Sequence, residues 1–158
     1  MFKKILLSCL ILVSNSTFAK SLALSFDDGL DLSTHPQAQH INDAILNTLK
    51  QNNVHAIIYP SLSKIGANDG LGMIKQWGEQ GHRIGNHGNL HLNLNKDEVN
   101  LSAYLADMQQ GHQAFSTLQG FVPRYRFPFL KEGNTLEKKD GVRQWIKDHH
   151  YQSGAVSI

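Results

Sequence analysis

Short apolar runs alternate with longer amphipathic segments from residue 21 onward, and this alternation limits the fold more than any other feature of the chain. "SLALSF" (21 to 26), "VHAIIYP" (54 to 60), "HRIGN" (82 to 86) and "FVPRYRF" (121 to 127) have the length and the β-branched or aromatic content of strands. "YQSGAVSI" (151 to 158) reads as the start of a fifth. Helical patterns lie between them. Pro36 opens the first, with Ile41, Ala44, Ile45, Thr48 and Leu49 predicted on one face at helical spacing. The second is a Gly-bounded helix around Met73, Ile74 and Trp77. The third and longest has Asn95 as its expected N-cap, Glu98 at N3, and a stripe of Leu101, Tyr104, Leu105, Met108 and Phe115. The fourth covers 134 to 150 with Asn134 as its expected cap. Strand and helix in strict alternation predict parallel pairing with helices outside, an α/β domain. In such folds ligands collect at the carboxyl ends of the strands.

Length and composition agree with a single packed domain: 158 residues, 41% apolar and 18% charged. The net charge of +2 is spread without a basic block, which gives no case for nucleic acid as a partner. The first residues read as a targeting segment instead of structure. "MFKK" is a positive n-region, "ILLSCLILV" an apolar stretch too short to span a bilayer, and "STFA" a small-residue cleavage site with Thr17 and Ala19 at its key positions. Residues 1–19 are therefore the expected signal peptide, and 20–158 the mature domain, secreted or periplasmic, with no stable membrane span after cleavage. A lipoprotein anchored at Cys9 is the weaker expectation, because it leaves an unusually short apolar region before the cysteine. Cys9 is the chain's single cysteine, so cleavage after Ala19 leaves a thiol-free chain suited to an oxidising compartment.

Mapped onto the expected strands, the polar residues gather at one end of the sheet. Asp27 and Asp28 follow the first strand, His87 and His91 the third, and Arg126 ends the fourth. "HGNLH" (87 to 91) sets two imidazoles four residues apart, close enough to share one metal. One carboxylate added to them makes a two-His, one-carboxylate set that leaves coordination positions open. The other aspartate is then free to act as a general base, because successive side chains of an extended segment point in different directions. A nearby arginine would orient it. Taken singly, Asp-Asp-Gly is also what a turn after a strand looks like, and two loop histidines need not meet. His35, His40, His55, His82 and His112 match no motif and are expected at the surface or satisfied in the core, and His149 and His150 at a solvated helix end. Trp77 and Trp145 are expected to pack helices onto the sheet.

"SFDDG" (25 to 29), "HGNLH" (87 to 91) and "RFPF" (126 to 129), in this order, resemble the first three motifs of the polysaccharide deacetylases, carbohydrate esterase family 4 with the NodB homology domain. The resemblance implies a distorted (β/α) barrel. It also implies removal of N- or O-linked acetyl groups from an acetylated polysaccharide or oligosaccharide, with a divalent metal, Zn2+ foremost. Carried over residue by residue, Asp27 resembles the catalytic base, and Asp28, His87 and His91 the metal ligands. Arg126 resembles the base's partner, the Phe129 backbone N–H a donor to the oxyanion, and Pro128 a substrate-binding residue.

Two departures accompany the match. The family places Ser or Thr directly after the first metal histidine, where its hydroxyl braces the loop; Gly88 stands there instead. No Asp-Trp motif and no Leu-x-Leu-His motif, which supplies the family's general acid, follows Arg126. With about five strands where a closed barrel of this kind takes roughly seven to eight, the expectation is an incomplete barrel, a truncated member. Loss of a general acid would slow amide hydrolysis roughly 10²- to 10⁴-fold and spare activated esters. Two alternatives stay open: an impaired member that at most binds metal or glycan, and a related C–N hydrolase acting on a small amide, against which the export signal weighs.

Overall fold

A computed structural model describes residues 22 to 156; the expected signal peptide, with Cys9 and Ala19, lies outside them. Five strands, Leu24–Asp28 (β1), Ala56–Pro60 (β2), Arg83–Asn86 (β3), Phe121–Tyr125 (β4) and Gln152–Ser153 (β5), alternate with four helices, Ala38–Gln51 (α1), Leu71–Glu79 (α2), Leu101–Phe115 (α3) and Leu136–Asp148 (α4). Every strand pairs in parallel with its sequence neighbour, in the order β1-β2-β3-β4-β5. Right-handed crossovers between successive neighbours put all the helices on one side of such a sheet. The order never reverses, which separates this barrel-type winding from a doubly wound sheet. Among the described residues β1 and β5 do not pair, so the sheet is not closed, as expected of an incomplete barrel.

Two clusters hold helices to strands. Leu46, Leu49, Ile58, Ile65, Ile74, Trp77, Ile84 and Phe115 form one, and Tyr104, Met108, Tyr125, Phe127, Val142, Trp145 and Tyr151 the other. Full burial of one such side chain is worth about 1.5–3 kcal/mol. Trp77 and Trp145 pack in these clusters as expected. The histidine-rich end of α4 is solvated: His149 and His150 are exposed, and His149 stacks on Trp145 with ring centroids 4.0 Å apart. No helix of the described residues is long and apolar enough to cross a membrane.

Three local expectations are corrected. In α1 the buried positions are Ala38, Asn42, Leu46 and Leu49, whereas Ile41, Ala44 and Thr48 are exposed. The helix is rotated because Asn42 is wanted inside: its Oδ1 accepts from Trp77 Nε1 at 2.8 Å and its Nδ2 donates to Gln76 Oε1 at 2.7 Å. The cap of α3 is Asn100, whose Oδ1 accepts from Ala103 N at 2.8 Å. Asn95 instead accepts from Gly133 N at 2.9 Å and ties two loops together. Thr135, not Asn134, caps α4 through Lys138 N at 3.2 Å; Asn134 donates to Asp97 Oδ1.

Candidate metal centre

Both aspartates are delivered by the end of β1, in register with Tyr59 and Pro60 of β2. Asp28 leaves the strand in the left-handed region at φ 71° and Gly29 follows at φ 92°. Gly29 is needed there: a Cβ would run into the Ile65 side chain, and only glycine takes that φ without cost. The turn is closed by Gly29 N donating to Asp27 O at 2.9 Å, and Ser61 N holds Asp28 O at 3.1 Å. The result points the two carboxylates apart, one to each of two partner sets.

Asp28 meets the histidines. Its Oδ1 lies 3.0 Å from His91 Nε2 and 3.6 Å from His87 Nε2, and ligand atoms of the three residues all lie within 4.8 Å of one another. His87 is fixed from behind, with Nδ1 donating to Arg126 O at 2.6 Å. That bond places its proton on Nδ1 and leaves the Nε2 lone pair facing Asp28. Burial holds both imidazoles below their ordinary value of 6.5, against the pull of Asp28. They are therefore neutral at pH 7. Asp28 Oδ1 is itself buried with no hydrogen-bond donor. The His87 Nε2 lone pair and this carboxylate oxygen thus converge without a proton between them, an arrangement that costs free energy unless a cation fills it. One carboxylate and two imidazoles fit a divalent ion, with coordination positions to spare.

Asp27 meets Arg126. The guanidinium Nη1 donates to Asp27 Oδ1 at 2.6 Å and to Ser25 Oγ at 2.9 Å, while Nε donates to Gly154 O at 2.8 Å. Its carbon sits 4.1 Å from the Tyr59 ring centroid. Arg126 is buried, whereas Asp27 keeps 39% side-chain exposure and so remains open to a water or substrate. A cavity of about 310 Å³ exposes Asp27, Asp28, His87 and His91 together. Phe129 stands on its wall, edge-on to His91 with centroids 4.6 Å apart. Phe129 and Leu130 hold φ 57° and 56°, a region that non-glycine residues occupy at a cost of order 1–3 kcal/mol. Pro128 does not line the cavity: it is buried, and Phe127, Phe129 and Leu130 form that wall instead.

Two residues here escaped the sequence reading. Lys64, in the loop after β2, lines the cavity and belongs to no motif; only the fold brings it near. Asp107, in α3, is 2% exposed and its carboxylate accepts from the N–H groups of Leu90 at 2.6 Å and Asn89 at 3.0 Å. Its signal was present in the sequence, since an acid between Tyr104, Met108 and Gly111 lies on the apolar stripe.

Residues 14–152 match the family described as polysaccharide deacetylase. A peptidoglycan-N-acetylglucosamine deacetylase of Bacillus cereus is 35% identical over 131 residues, 82% of this chain and 42% of that protein. The peptidoglycan-N-acetylglucosamine deacetylase PgdA of Listeria monocytogenes is 38% identical over 131 residues, 82% of this chain and 26% of that protein. The chain thus spans less than half the length of these relatives. Among solved structures, the Bc1960 peptidoglycan N-acetylglucosamine deacetylase superposes with TM-score 0.61 at 27% identity, covering 83% of this chain and 54% of the other. The catalytic domain of a Eubacterium rectale deacetylase shares the fold at TM-score 0.62 and 20% identity, over 83% of this chain and 57% of that one. With the family match running from before β1 to the start of β5, this chain belongs to the polysaccharide deacetylase family.

Proposed function

We propose that the chain is a metal-dependent hydrolase that removes acetyl groups from a cell-wall glycan after export. The observation that carries this reading is the convergence of Asp28, His87 and His91 on one point beside the Asp27–Arg126 pair. The peptidoglycan deacetylase names of the similar proteins support the substrate class. The expected signal peptide, residues 1–19, supports a secreted or periplasmic site of action.

Asp28, His87 and His91 would hold the ion, with Zn2+ the first candidate for two imidazoles and a carboxylate. Bound there, a divalent cation would supply Lewis-acid polarisation of an acetyl carbonyl and a more acidic water. Asp27 takes the proton of the attacking water, and Arg126 fixes the carboxylate that receives it. Phe129 stands on the cavity wall at φ 57°, and its N–H is the donor for the developing oxyanion. C–O bond formation from water and cleavage of the C–N or C–O bond then release acetate and a free amine or hydroxyl, the leaving group taking its proton from solvent. Among the described residues, no histidine or carboxylic acid beyond this set lines the cavity to protonate a leaving amine. Lys64 is the remaining proton-bearing side chain on that wall, and a second reading is a member that binds metal with little turnover.

Acetate release from acetylated chito-oligosaccharide, acetylated xylan and 4-nitrophenyl acetate separates the readings. Turnover should require added divalent metal, vanish in His87→Ala and Asp27→Asn, and be fastest on the activated ester. Release indifferent to both substitutions would overturn the site assignment. Metal bound at about one per chain with no release on any substrate would establish the second reading.

A further inference from the structure

The loop between the two histidines is clamped from both sides. Its carbonyls are held from the loop after β2: Leu62 N donates to Gly88 O at 3.3 Å, Ser63 N to Asn89 O at 2.8 Å, and Ser61 Oγ to Asn89 O at 2.9 Å. Its N–H groups are held from the opposite side. Asn86 Oδ1 takes Gly88 N at 2.8 Å, and the Asp107 carboxylate takes Asn89 N and Leu90 N, one on each oxygen. Asn86 is in turn anchored to α3, with Nδ2 donating to Met108 O at 2.9 Å.

Three features separate Asp107 from an ordinary buried acid. No Lys or Arg among the described residues forms an ion pair with it, so the two loop N–H groups are its main compensation for desolvation. Both donors lie inside the four-residue interval that separates the two metal-ligand candidates. And the carboxylate occupies the space next to Gly88, where an added Cβ would fall within contact of Asp107 Oδ2, at a backbone φ of 84°. A glycine at 88 and an acid at 107 are thus complementary: the carboxylate reaches the loop only because residue 88 has no side chain. Charge-assisted bonds to backbone N–H are among the stronger ones a loop can have.

We propose that Asp107 is the positioning residue of the metal centre, setting the spacing of His87 and His91 by holding Asn89 N and Leu90 N, and that Gly88 exists to admit it. This inference rests on the metal-site reading above. Asp107 touches neither the ion nor the substrate in this scheme; it acts through the loop.

The test is metal affinity, which needs no turnover. In Asp107→Asn one amide nitrogen faces a backbone N–H and one of the two bonds is lost. Competition with a chromophoric chelator should show Zn2+ bound about 10- to 100-fold more weakly, the usual range for removing support behind a ligand. The visible spectrum of the Co2+ form should change, while the melting temperature of the metal-free chain stays within a few degrees. Wild-type affinity and an unchanged Co2+ spectrum would overturn the proposal. If Asp107→Asn does not fold, hydrogen exchange on the wild-type chain decides instead. Asn89 and Leu90 amides, in a loop whose Leu90 is 59% exposed, should be strongly protected without metal, and rapid exchange would overturn the proposal. A wild-type chain that takes up no metal defeats the metal reading itself, and the exchange result then stands alone for the brace.

Discussion

Arg126 reaches Asp27 across the open sheet, 2.6 Å from a residue 99 positions earlier, and the same guanidinium holds Ser25 and Gly154. One buried cation therefore connects the ends of β1 and β4 to the segment after β5. In Arg126→Met the length of the side chain is kept and its donors are lost. Asp27 is partly exposed and can be solvated once orphaned, so the cost should be about 1–2 kcal/mol, below the roughly 3–5 kcal/mol of breaking a fully buried pair. Activity should fall further, on the order of 10²-fold in kcat/KM, the scale of a misplaced reacting group, with metal content unchanged. Thermal melts, metal analysis and ester hydrolysis together check it; metal lost along with activity would show that Arg126 supports the histidines through His87 and not the base.

Acid should unfold the metal-free chain through its histidines. His82, His87 and His91 all lie below 6.5 in the folded state, burial being the first cause for each. Unfolded histidines take up protons near 6.5 while these do not, so the unfolded state binds more protons just below that pH and stability falls as pH drops. Asp107 runs the other way: burial raises it above 3.8, a contribution present at low pH and lost as pH rises through its folded value. It opposes the histidine trend between 3.8 and its folded value. Melting followed from pH 8 to 5 with a chelator should show a steady decline below about 6.5. Metal should raise the melting temperature most at the alkaline end, since the ligands must be neutral to bind. A metal-free melting temperature that is level or rises from pH 7 to 5 would contradict the burial of these imidazoles.

Helix caps separate two adjacent candidates cleanly. Thr135→Ala should cost about 1 kcal/mol, the usual value of a lost N-cap, because its Oγ1 accepts from Lys138 N. Asn134→Ala removes only an exposed bond to Asp97 and should stay within about 0.5 kcal/mol. Chemical denaturation at constant m-value reads both; equal effects would return the cap to Asn134.

The same contrast explains which parts of the fold were legible. Strands were readable because their signal is local: "VHAIIYP" is apolar, β-branched and stopped by a proline, and it forms β2 up to Pro60. The juxtaposition of Asp28 with His87 and His91, and of Asp27 with Arg126, was readable because these residues lie at strand ends, where parallel α/β order brings distant residues together. Caps were not, since Asn95 and Asn100, or Asn134 and Thr135, are equivalent until packing decides where the helix begins. The face of α1 was misjudged because Asn42 is buried for the sake of Trp77, and a polar residue is discounted in any apolar stripe. Asp107 was overlooked for the same reason, and Gly88 counted as a lost hydroxyl when it makes room for a carboxylate.

Phe129 divides the roles of backbone and side chain. Its N–H is the donor assigned to the oxyanion, its ring lies edge-on to His91, and its φ of 57° is one that glycine adopts freely. Phe129→Gly removes the ring, keeps the N–H and relieves the backbone, so stability should change by less than about 1 kcal/mol, relief offsetting the contacts of a 57% exposed ring. If the N–H does the chemistry, kcat on 4-nitrophenyl acetate should hold within a few-fold while KM for oligosaccharide rises, because the lost ring is an apolar wall for a sugar. A kcat reduced as far as in Asp27→Asn, with metal still bound, would show that the ring's hold on His91 matters to the reacting geometry more than the donor behind it.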